Sequence, residues 1–548
     1  MTFFERAARG ARTTAAATAL LLVVVPAAEA GWSKPQPIRS PVRSSQPLER
    51  PAVALGTASR GSILAQRTTP EGALVVAQGS VRRARVGRVV DVLPGEALAY
   101  GPSPAGAAAV AIRSPAGVTG HLRDARAGFG APIALGPFST QVRVAVNARG
   151  DAVLATGGTG PADAISIVIR PARGAPSPPV AIGDGGAVGL FDVAIGARGH
   201  VAVAWSRGGI LEARVLDPNG NLSPIARLTP PGTQISDAEI AVDSGGITDL
   251  AAIVAAPAAP NTSAAAAVVA SRRPAGGEFS PLAVLDGGPA IESLEAVAAG
   301  RHGLVTWLRS AKGPPPGLVP IVRIHAAARR GGGPLRRVTV QPARGGSATP
   351  STPRSAVAPD GGAVIVSGFG GSVHVARRKP GRSIFARPRA ISTLAGGTPA
   401  LTAHEPTVAA ASGERALVVW TDRESLSRAW VLLPGTRDHS ERERRGAPRV
   451  RSTPPVLDLG TRPATVRGTV SCDRPCRVTI RVAVSGGSSL TVAVRRVLPR
   501  GGRVNIAQQI NPNVDRRLRR IAIRGVRTSV IAATRYGATV GFVREPRR

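Results

Sequence analysis

The sequence predicts an all-β fold built from repeated units, and three observations support this prediction. A tight turn containing Gly, Asp or His is followed by a short apolar strand that often ends in Trp, as in Gly199–Trp205 and His302–Trp307. This phrase returns with a period of roughly 40–50 residues, which is characteristic of a β-propeller. Beyond residue 30, no stretch has the apolar period of an α-helix. We therefore expect a propeller with almost no helix.

The repeats predict where the strands of each blade begin. First strands such as Val142–Val146 and Phe191–Ile195 lead into hairpin turns rich in Gly and Asp. Second strands are expected near residues 73, 107, 151, 200, 250, 303, 362 and 415. The first two match the phrase least well, so the sequence leaves seven or eight blades open. Because they recur at one register, the tryptophans are expected to be core residues that cover the blade sheets: Trp205, Trp307 and Trp420.

A second phrase, an aromatic residue followed by Pro and an apolar residue, closes several repeats. It occurs in Phe129–Leu135 and Phe385–Ile391, and its Pro suits an outer strand, where a missing ladder donor is tolerated. Trp32–Ile38 carries the same phrase without strands of its own blade, whereas the last repeat, Val408–Leu433, lacks it. We expect Trp32–Ile38 to complete the last blade, which would remove an open sheet edge.

The C-terminal part of the chain differs from the repeats. The propeller is assigned to residues 31–434, and residues 435–455 form a charged, Pro-rich stretch typical of a linker. Residues 456–548 alternate polar and apolar positions in some seven short strands over about 90 residues, which suits an immunoglobulin-like β-sandwich. This segment contains 19 arginines and four carboxylates.

The C-terminal segment also carries the motif Ser471-Cys-Asp-Arg-Pro-Cys476. With the repeats, this motif makes the chain resemble the secreted β-propeller proteins of actinobacteria, in the broad sialidase-like and WD40-like superfamily. Those proteins often end in a small β-sandwich with a Cys-x-x-x-Cys pair. The resemblance implies the fold but no particular substrate.

The first 30 residues have the three parts of a secretory signal peptide. Three arginines precede an apolar run at Ala15–Val25, and Ala28-Glu-Ala30 is a small-x-small cleavage site. The apolar run is shorter than the ~20 residues that a membrane span needs. We expect a secreted, extracellular protein that begins near Gly31, has no transmembrane segment when mature, and is either free or associated with the cell wall. An uncleaved N-terminal anchor is the alternative.

The two cysteines of the chain, Cys472 and Cys476, are expected to form a disulfide. An even pair in a secreted protein indicates a bridge, and neither a Cys-x-x-Cys motif nor further zinc ligands accompany it. The seven histidines are dispersed, with His200 and His302 at equivalent blade turns. We expect no metal and no cofactor.

The chain has a formal net charge of +37, almost entirely from arginine. Such a chain attracts anionic polymers. The densest basic patch is Arg516, Arg517, Arg519 and Arg520. Two interpretations stay open: a solvated strand or turn of an Arg-rich protein, or a contact for an anionic cell-wall polymer or polysaccharide. Specific nucleic-acid recognition is not expected, because only Tyr536 and Phe542 could stack on bases nearby.

The sequence favours a binding function over catalysis and predicts no catalytic residue. Sialidase Asp boxes are absent, and Arg149-Gly-Asp151 lies in a hairpin turn that needs Gly and Asp for its geometry. Asp192, Glu239 and Glu295 lie near first strands, where we interpret them as isolated turn or strand-edge residues. We expect a non-enzymatic protein of the cell envelope whose propeller binds a glycan or a protein. The alternative is a glycan hydrolase or lyase.

Overall fold

The protein is described here from a computed structural model. The structure describes residues 31–543 apart from short gaps, and it does not describe the segments 1–30, 33–35, 38–48, 57–59, 69–73, 83–84, 87–90, 115–116, 125–127, 138–140, 159–164, 256–265, 289, 312–320, 342–350, 370–371, 392–405, 421–427, 434–449, 453–455, 459, 474–475, 486–489, 499–501, 520–524, 535–536 and 544–548. The expected signal peptide and most of the expected linker lie outside the described residues.

Residues 31–433 form eight small sheets, which we number along the chain. Sheet 1 has β3 (Glu49–Leu55), β4 (Arg60–Thr68), β5 (Leu74–Arg82), β6 (Arg85–Val86) and β7 (Asp91–Pro94). Sheet 2 has β8 (Glu96–Pro102), β9 (Ala108–Ser114), β10 (Gly117–Asp124), β11 (Gly128–Phe129) and β12 (Ile133–Gly136). Sheet 3 has β13 (Gln141–Val146), β14 (Ala152–Gly157), β15 (Ser166–Arg170) and β16 (Val180–Ala181). Sheet 4 has β17 (Phe191–Ile195), β18 (Val201–Arg207), β19 (Ile210–Leu216) and β20 (Ala226–Arg227).

The other four sheets follow the same plan. Sheet 5 has β21 (Gln234–Val242), β22 (Thr248–Ala255), β23 (Ala266–Arg273) and β24 (Ala283–Gly288). Sheet 6 has β25 (Ile291–Ala299), β26 (His302–Ala311), β27 (Ile321–Arg330) and β28 (Arg336–Val340), with β32 (Ile384–Phe385) added in parallel at its edge. Sheet 7 has β29 (Arg354–Val357), β30 (Ala363–Phe369), β31 (Ser372–Arg378) and β33 (Arg389–Ala390). Sheet 8 has β34 (Thr407–Ala411), β35 (Arg415–Trp420) and β36 (Arg428–Leu433), completed by β1 (Gly31–Trp32) and β2 (Gln36–Pro37).

The first strands of the sheets contact one another in a closed order. Strand β3 contacts β8, and the series continues through β13, β17, β21, β25 and β29 to β34, which contacts β3 again. Antiparallel sheets whose innermost strands meet in this way form a β-propeller, and the inner strands surround its central channel. The sequence left open whether there are seven or eight blades, and the structure has eight sheets in this closed order.

The apolar core lies between neighbouring sheets. Sheets 3 to 7 have apolar clusters on both faces, so the second strand of a sheet is a nearly continuous apolar run, as in Val201–Trp205 of sheet 4. Separate clusters fill the spaces between sheets 3 and 4, 4 and 5, 5 and 6, 6 and 7, and 7 and 8. The expected core tryptophans are confirmed: Trp205, Trp307 and Trp420 are 1%, 0% and 3% exposed.

The expected ring closure is confirmed. Trp32 pairs with Leu432, and Gln36 pairs with Ala429, so both N-terminal strands lie on β36 of sheet 8. Seven of the eight expected second strands begin within two residues of the expected position. The exception is sheet 1, where the strand expected near residue 73 is the third strand, β5. The second strand, β4, begins at Arg60 and lacks the terminal Trp that marks the phrase elsewhere.

The C-terminal part forms two further four-stranded sheets. One contains β37 (Val450–Ser452), β38 (Val456–Asp458), β39 (Thr465–Cys472) and β42 (Gly502–Gln509); the other contains β40 (Cys476–Ser485), β41 (Leu490–Leu498), β43 (Gly525–Thr534) and β44 (Gly537–Val543). Strand β37 pairs with β39, so the first of these sheets begins inside the range 435–455 that the sequence assigns to the linker. Two antiparallel sheets agree with the expected β-sandwich class.

One helix corrects the expectation that basic residues 516–520 form a strand or a turn. Helix α1 (Pro512–Arg519) contains Arg516, Arg517 and Arg519. Asn511 begins the helix because its side-chain oxygen accepts a hydrogen bond from the Asn513 amide at 2.8 Å, and Pro512 suits the first helical position. No helix within the described ranges is long and apolar enough to cross a membrane.

Candidate functional site

Five consecutive sheets carry a charged side chain at one equivalent position of the innermost strand. The position is opposite the residue that precedes the Trp in sheets 4 and 6, and it is defined by backbone pairing. The pairs are Arg143 with Ala155, Asp192 with Ala204, Glu239 with Ala251, Glu295 with Thr306, and Arg354 with Val366. Three carboxylates thus lie side by side around the channel with a guanidinium at each end. We call this set the channel ring.

The channel ring overturns the expectation that Asp192, Glu239 and Glu295 are isolated. They come from β17, β21 and β25, the first strands of sheets 4, 5 and 6, and these strands contact one another in that order. Sequence reasoning missed this arrangement because the outer strands and loops differ in length from repeat to repeat. The hairpin turns could have revealed it, because the charged residue lies four positions before the residue whose amide closes the turn. This holds for Arg143, Asp192, Glu239 and Arg354.

Most of the carboxylates around the channel also bind the neighbouring sheet. Asp192 Oδ2 accepts a hydrogen bond from the Ile240 amide at 3.0 Å. Asp237, two residues before Glu239, accepts one from the Leu294 amide at 2.9 Å. Glu295 Oε2 accepts from the Ser355 hydroxyl at 2.6 Å and from the Ser355 amide. Each bond joins the innermost strand of one sheet to that of the next, so these groups fix the channel wall.

Glu239 differs, because no hydrogen bond from the described residues reaches its carboxylate. Burial and the neighbouring charges of Asp192, Asp237 and Glu295 raise its pKa well above the ordinary value, and Arg354 opposes the shift. It lies at the centre of the run of carboxylates. Glu239 is therefore the carboxylate of the channel ring whose acceptor capacity is left entirely free by the described residues.

The other carboxylates of the ring are also displaced toward their protonated forms. Burial raises the pKa of Asp192 to about 6, against the effect of the Ile240 amide and of Arg143. Burial raises the pKa of Glu295 to about 7, opposed by Arg354 and by the Ser355 hydrogen bonds. Arg354 Nη1 lies 3.8 Å from Glu295 Oε1. Near neutral pH the ring can accept, donate or exchange protons.

The tryptophans belong to a second, interior set of charged contacts. Trp205 Nε1 donates to Glu212 Oε2 at 2.6 Å, and Glu212 Oε1 also pairs with Arg207 at 2.9 Å. Trp307 Nε1 likewise donates to Asp286 Oδ2 at 3.0 Å, and Arg309 lies 3.0 Å from Asp286 Oδ1. Both carboxylates are almost inaccessible to solvent, and their negative charges are neutralised by arginines. These clusters stabilise the sheets and offer no open position for a ligand.

The remaining expected sites fall in different places. Asp151 of the Arg-Gly-Asp tripeptide is buried, and its Oδ1 accepts from the Ala172 amide at 2.7 Å, so it serves the turn as expected. Across the described segments, no group of three or more His, Cys, Asp and Glu could hold a metal ion. Burial lowers the pKa of both His200 and His302.

The C-terminal candidates are separate from the channel ring. Cys472 is 4% exposed at the end of β39, and its disulfide with Cys476 stays a prediction that thiol alkylation under native and reducing conditions would test. Arg516 is exposed on α1, which also contains Arg517 and Arg519. Arg520 lies outside the described residues.

Comparisons with known proteins give remote structural similarities alone. No family model matches the chain, and no curated protein matches it. Among solved structures, the BP39L lectin from Burkholderia pseudomallei is 11% identical, with a TM-score of 0.41 over 63% of this chain and 99% of the lectin. The Dos1 propeller is 8% identical, with a TM-score of 0.41 over 74% and 96% of the two chains. A polysaccharide lyase of family PL25, an ulvan lyase, is 8% identical, with a TM-score of 0.37 over 75% and 96%. The order of the sheets, not these scores, defines the fold.

Proposed function

We propose that this protein is a non-enzymatic binding protein whose propeller holds a glycan at the channel ring. The observation that carries the proposal is the alignment of three carboxylates between two guanidinium groups at one level of the channel. A sugar hydroxyl both donates and accepts hydrogen bonds. Carboxylates accept and guanidinium groups donate, so adjacent members of the ring can satisfy both roles.

The hydrogen bonds around the ring favour binding over hydrolysis. A glycoside hydrolase of the usual kind needs two carboxyl groups at the scissile bond, one as acid and one as base or nucleophile. Asp192 and Glu295 are held by donors of the neighbouring sheet, which leaves Glu239 with free acceptor capacity. A carboxyl group without such a bond is free to turn toward a sugar, whereas the other two are held as parts of the channel wall.

A screen of the full-length protein against neutral and acidic envelope glycans tests this function. We expect retention of at least one glycan and no new reducing ends or unsaturated products after prolonged incubation. The matched variants are Glu239→Gln in the ring and Glu278→Gln on an exposed outer turn. Loss of glycan retention in Glu239→Gln, with retention kept in Glu278→Gln, supports the proposal. If the protein binds a protein partner and no glycan, that partner replaces the glycan in the proposal.

The second candidate is a glycan hydrolase or lyase, and the raised pKa values favour it. A general acid or base acts most effectively when its pKa lies near the working pH, and burial raises the pKa of Glu295 to about 7. In this case the same incubation would release products. Their disappearance in Glu239→Gln, with full activity in Glu278→Gln, would establish catalysis at the ring.

We further propose that the protein is secreted and that its basic C-terminal part holds it at the cell envelope. The 19 arginines and four carboxylates of residues 456–548 support this role, as does the exposed position of Arg516 on α1. Arginine forms bidentate, charge-assisted bonds to phosphate and carboxylate groups of wall polymers. Such binding weakens as salt rises.

Sedimentation of the full chain with isolated cell walls across a salt series tests the envelope role. The test variant changes the basic patch to glutamine, and the control changes an equal number of exposed propeller arginines: Arg149, Arg198, Arg301 and Arg330. We expect the patch variant to lose binding at low salt while the control retains most of it. Equal losses would assign the binding to overall charge and not to the patch.

A further inference from the structure

An arginine recurs at the end of the third strand in several sheets, opposite the start of the second strand. In sheets 5, 6 and 7 the pairs are Thr248 with Arg273, Gly303 with Arg329, and Ala363 with Arg378. Because the backbone registers are equivalent, Arg329 and Arg378 occupy the same position in adjacent repeats. Their surroundings can therefore be compared residue by residue.

The junction between sheets 5 and 6 supplies its own counter-ions. The Arg329 side chain is fully buried, with Nε 2.8 Å from Asp249 Oδ2 and Nη2 3.1 Å from Asp243 Oδ2. The close approach also explains Gly303, because a Cβ at that position would clash with Asp249 Oδ2. Asp249, Gly303 and Arg329 thus form one unit in which a buried cation is neutralised by the chain.

The junction between sheets 6 and 7 has the equivalent arginine, Arg378, but no aspartate at the position equivalent to Asp249. Leu304 takes the place of Asp249, and Ala363 takes the place of Gly303; both lie in the apolar cluster between these sheets. Arg378 is 3% exposed, its Nη2 donates to the Gly361 carbonyl at 3.2 Å, and its guanidinium stacks over the Phe385 ring at 5.5 Å. In the part of the chain that the structure describes, Arg378 Nε and Nη1 have no acceptor.

The surroundings of Arg378 are electropositive. Burial, and to a smaller extent the charge of Arg330, lower its pKa to about 10, so the side chain is still charged at neutral pH. The charge of Arg378 in turn lowers the pKa of His302. On the other face of sheet 7, a shallow surface cleft shared with sheet 8 is lined by Arg377, Arg378, Lys379 and Arg415, and by two carboxylates, Asp360 and Glu414. Arg377 already pairs with Glu414 at 2.7 Å.

We propose that the junction between sheets 6 and 7 binds a small anion, a halide or an oxyanion such as phosphate, which takes the place of the carboxylate that Asp249 supplies one repeat earlier. A buried ion is stable only when it is paired and its hydrogen-bonding groups are satisfied. The contact with Phe385 satisfies the face of the guanidinium, whereas the edge nitrogens Nε and Nη1 need acceptors. An anion beside Arg378 provides them.

Bromide soaked into crystals of the unaltered protein is the direct probe. We expect an anomalous peak within hydrogen-bond distance of Arg378 Nε or Nη1 and none beside Arg329, which has its carboxylates. An ordered water at Arg378, with no anomalous peak there, would overturn the proposal. This measurement needs no variant, so it does not depend on how well any substitution folds.

A transplant of the neighbouring junction provides a matched test in solution. The double variant Leu304→Asp/Ala363→Gly gives Arg378 the acid and the space that Arg329 has. At constant ionic strength, chloride or phosphate should raise the Tm of the unaltered protein by about 2–4 °C relative to gluconate, which is too large to enter. The double variant should lose this dependence, and Arg198→Gln, an exposed control on sheet 4, should keep it. An equal anion dependence in the double variant would contradict the proposal.

Discussion

The carboxylates of the propeller form two sets with opposite surroundings. Interior acids such as Glu212 and Asp249 are almost fully buried, and each lies within 3 Å of an arginine nitrogen. The acids of the channel ring are more exposed than these but still largely buried, and Arg143 and Arg354 stand at the two ends of the run. Within the described ranges, Glu239 at the middle of the ring forms no ion pair with an arginine or lysine.

This difference separates the structural charges of the repeat from those open to a ligand. In the interior set the chain satisfies every carboxylate itself, so these groups fix how neighbouring sheets pack. In the channel ring, burial and mutual repulsion raise the pKa values, so the ring favours an external partner that donates hydrogen bonds or positive charge. Substitutions in the two sets should therefore have different consequences.

The largest expected effect is at Arg329. The Arg329→Met variant leaves Asp243 and Asp249 buried without their cation, and we expect the free energy of unfolding to fall by about 3–5 kcal/mol. Urea denaturation would measure the loss. Arg330→Met, at the exposed neighbouring position, should change stability by about 0.5 kcal/mol or less. Similar losses in both variants would show that the buried ion pairs do not stabilise the junction.

A smaller loss is expected at Glu212. Glutamine at this position can still accept a hydrogen bond from Trp205 Nε1, but it loses the ion pair with Arg207. Because charge-assisted hydrogen bonds contribute more than neutral ones, we expect Glu212→Gln to lower the free energy of unfolding by about 1–3 kcal/mol. Urea denaturation monitored by tryptophan emission would measure it. Full stability of this variant would mean that hydrogen bonding alone anchors the tryptophan.

The channel ring should instead alter how stability depends on pH. The pKa values of Glu295 and Asp192 are raised to about 7 and about 6 in the folded protein, so the folded state holds protons that the unfolded chain releases at lower pH. Their contribution to stability is fully present below the ordinary carboxyl pKa values and is lost as pH rises through 6 and 7. Thermal unfolding of the Asp192→Asn/Glu295→Gln variant between pH 5 and 7.5 should show a flatter profile than the unaltered protein. An unchanged profile would exclude these groups as its source.

The fold could be predicted well from the sequence because each repeat contains residues that mark where its strands begin and end. A Gly or Asp turn sets the hairpin, and the apolar second strand with its Trp sets the register, so most strands fell where expected. The displaced phrase at Trp32–Ile38 was sufficient to predict the closure of sheet 8. Sheet 1 was misplaced by one strand because β4, which begins at Arg60, lacks the Trp of the later repeats.

The channel ring could not be predicted in the same way. Its members are separated by outer strands and loops of unequal length, so no fixed spacing in the sequence joins Asp192, Glu239 and Glu295. Counting back from each hairpin would have aligned most of them, but the residue type changes from arginine to aspartate to glutamate and back to arginine, so they do not form a repeated motif. Helix α1 was missed because eight residues are too few to show an apolar period, although Asn511-Pro512 marked its start.

Titration of the best glycan from the screen into matched variants tests the central claim, that the channel ring is the binding site. We expect Glu239→Gln to weaken the affinity by about tenfold or more, since an amide cannot replace a carboxyl group at both oxygens and a ligand hydroxyl left unpaired costs about 1–3 kcal/mol. Glu278→Gln, which alters an exposed carboxylate far along the same repeat, should bind like the unaltered protein. Equal affinity in Glu239→Gln and the unaltered protein would place the site elsewhere on the propeller and contradict the account.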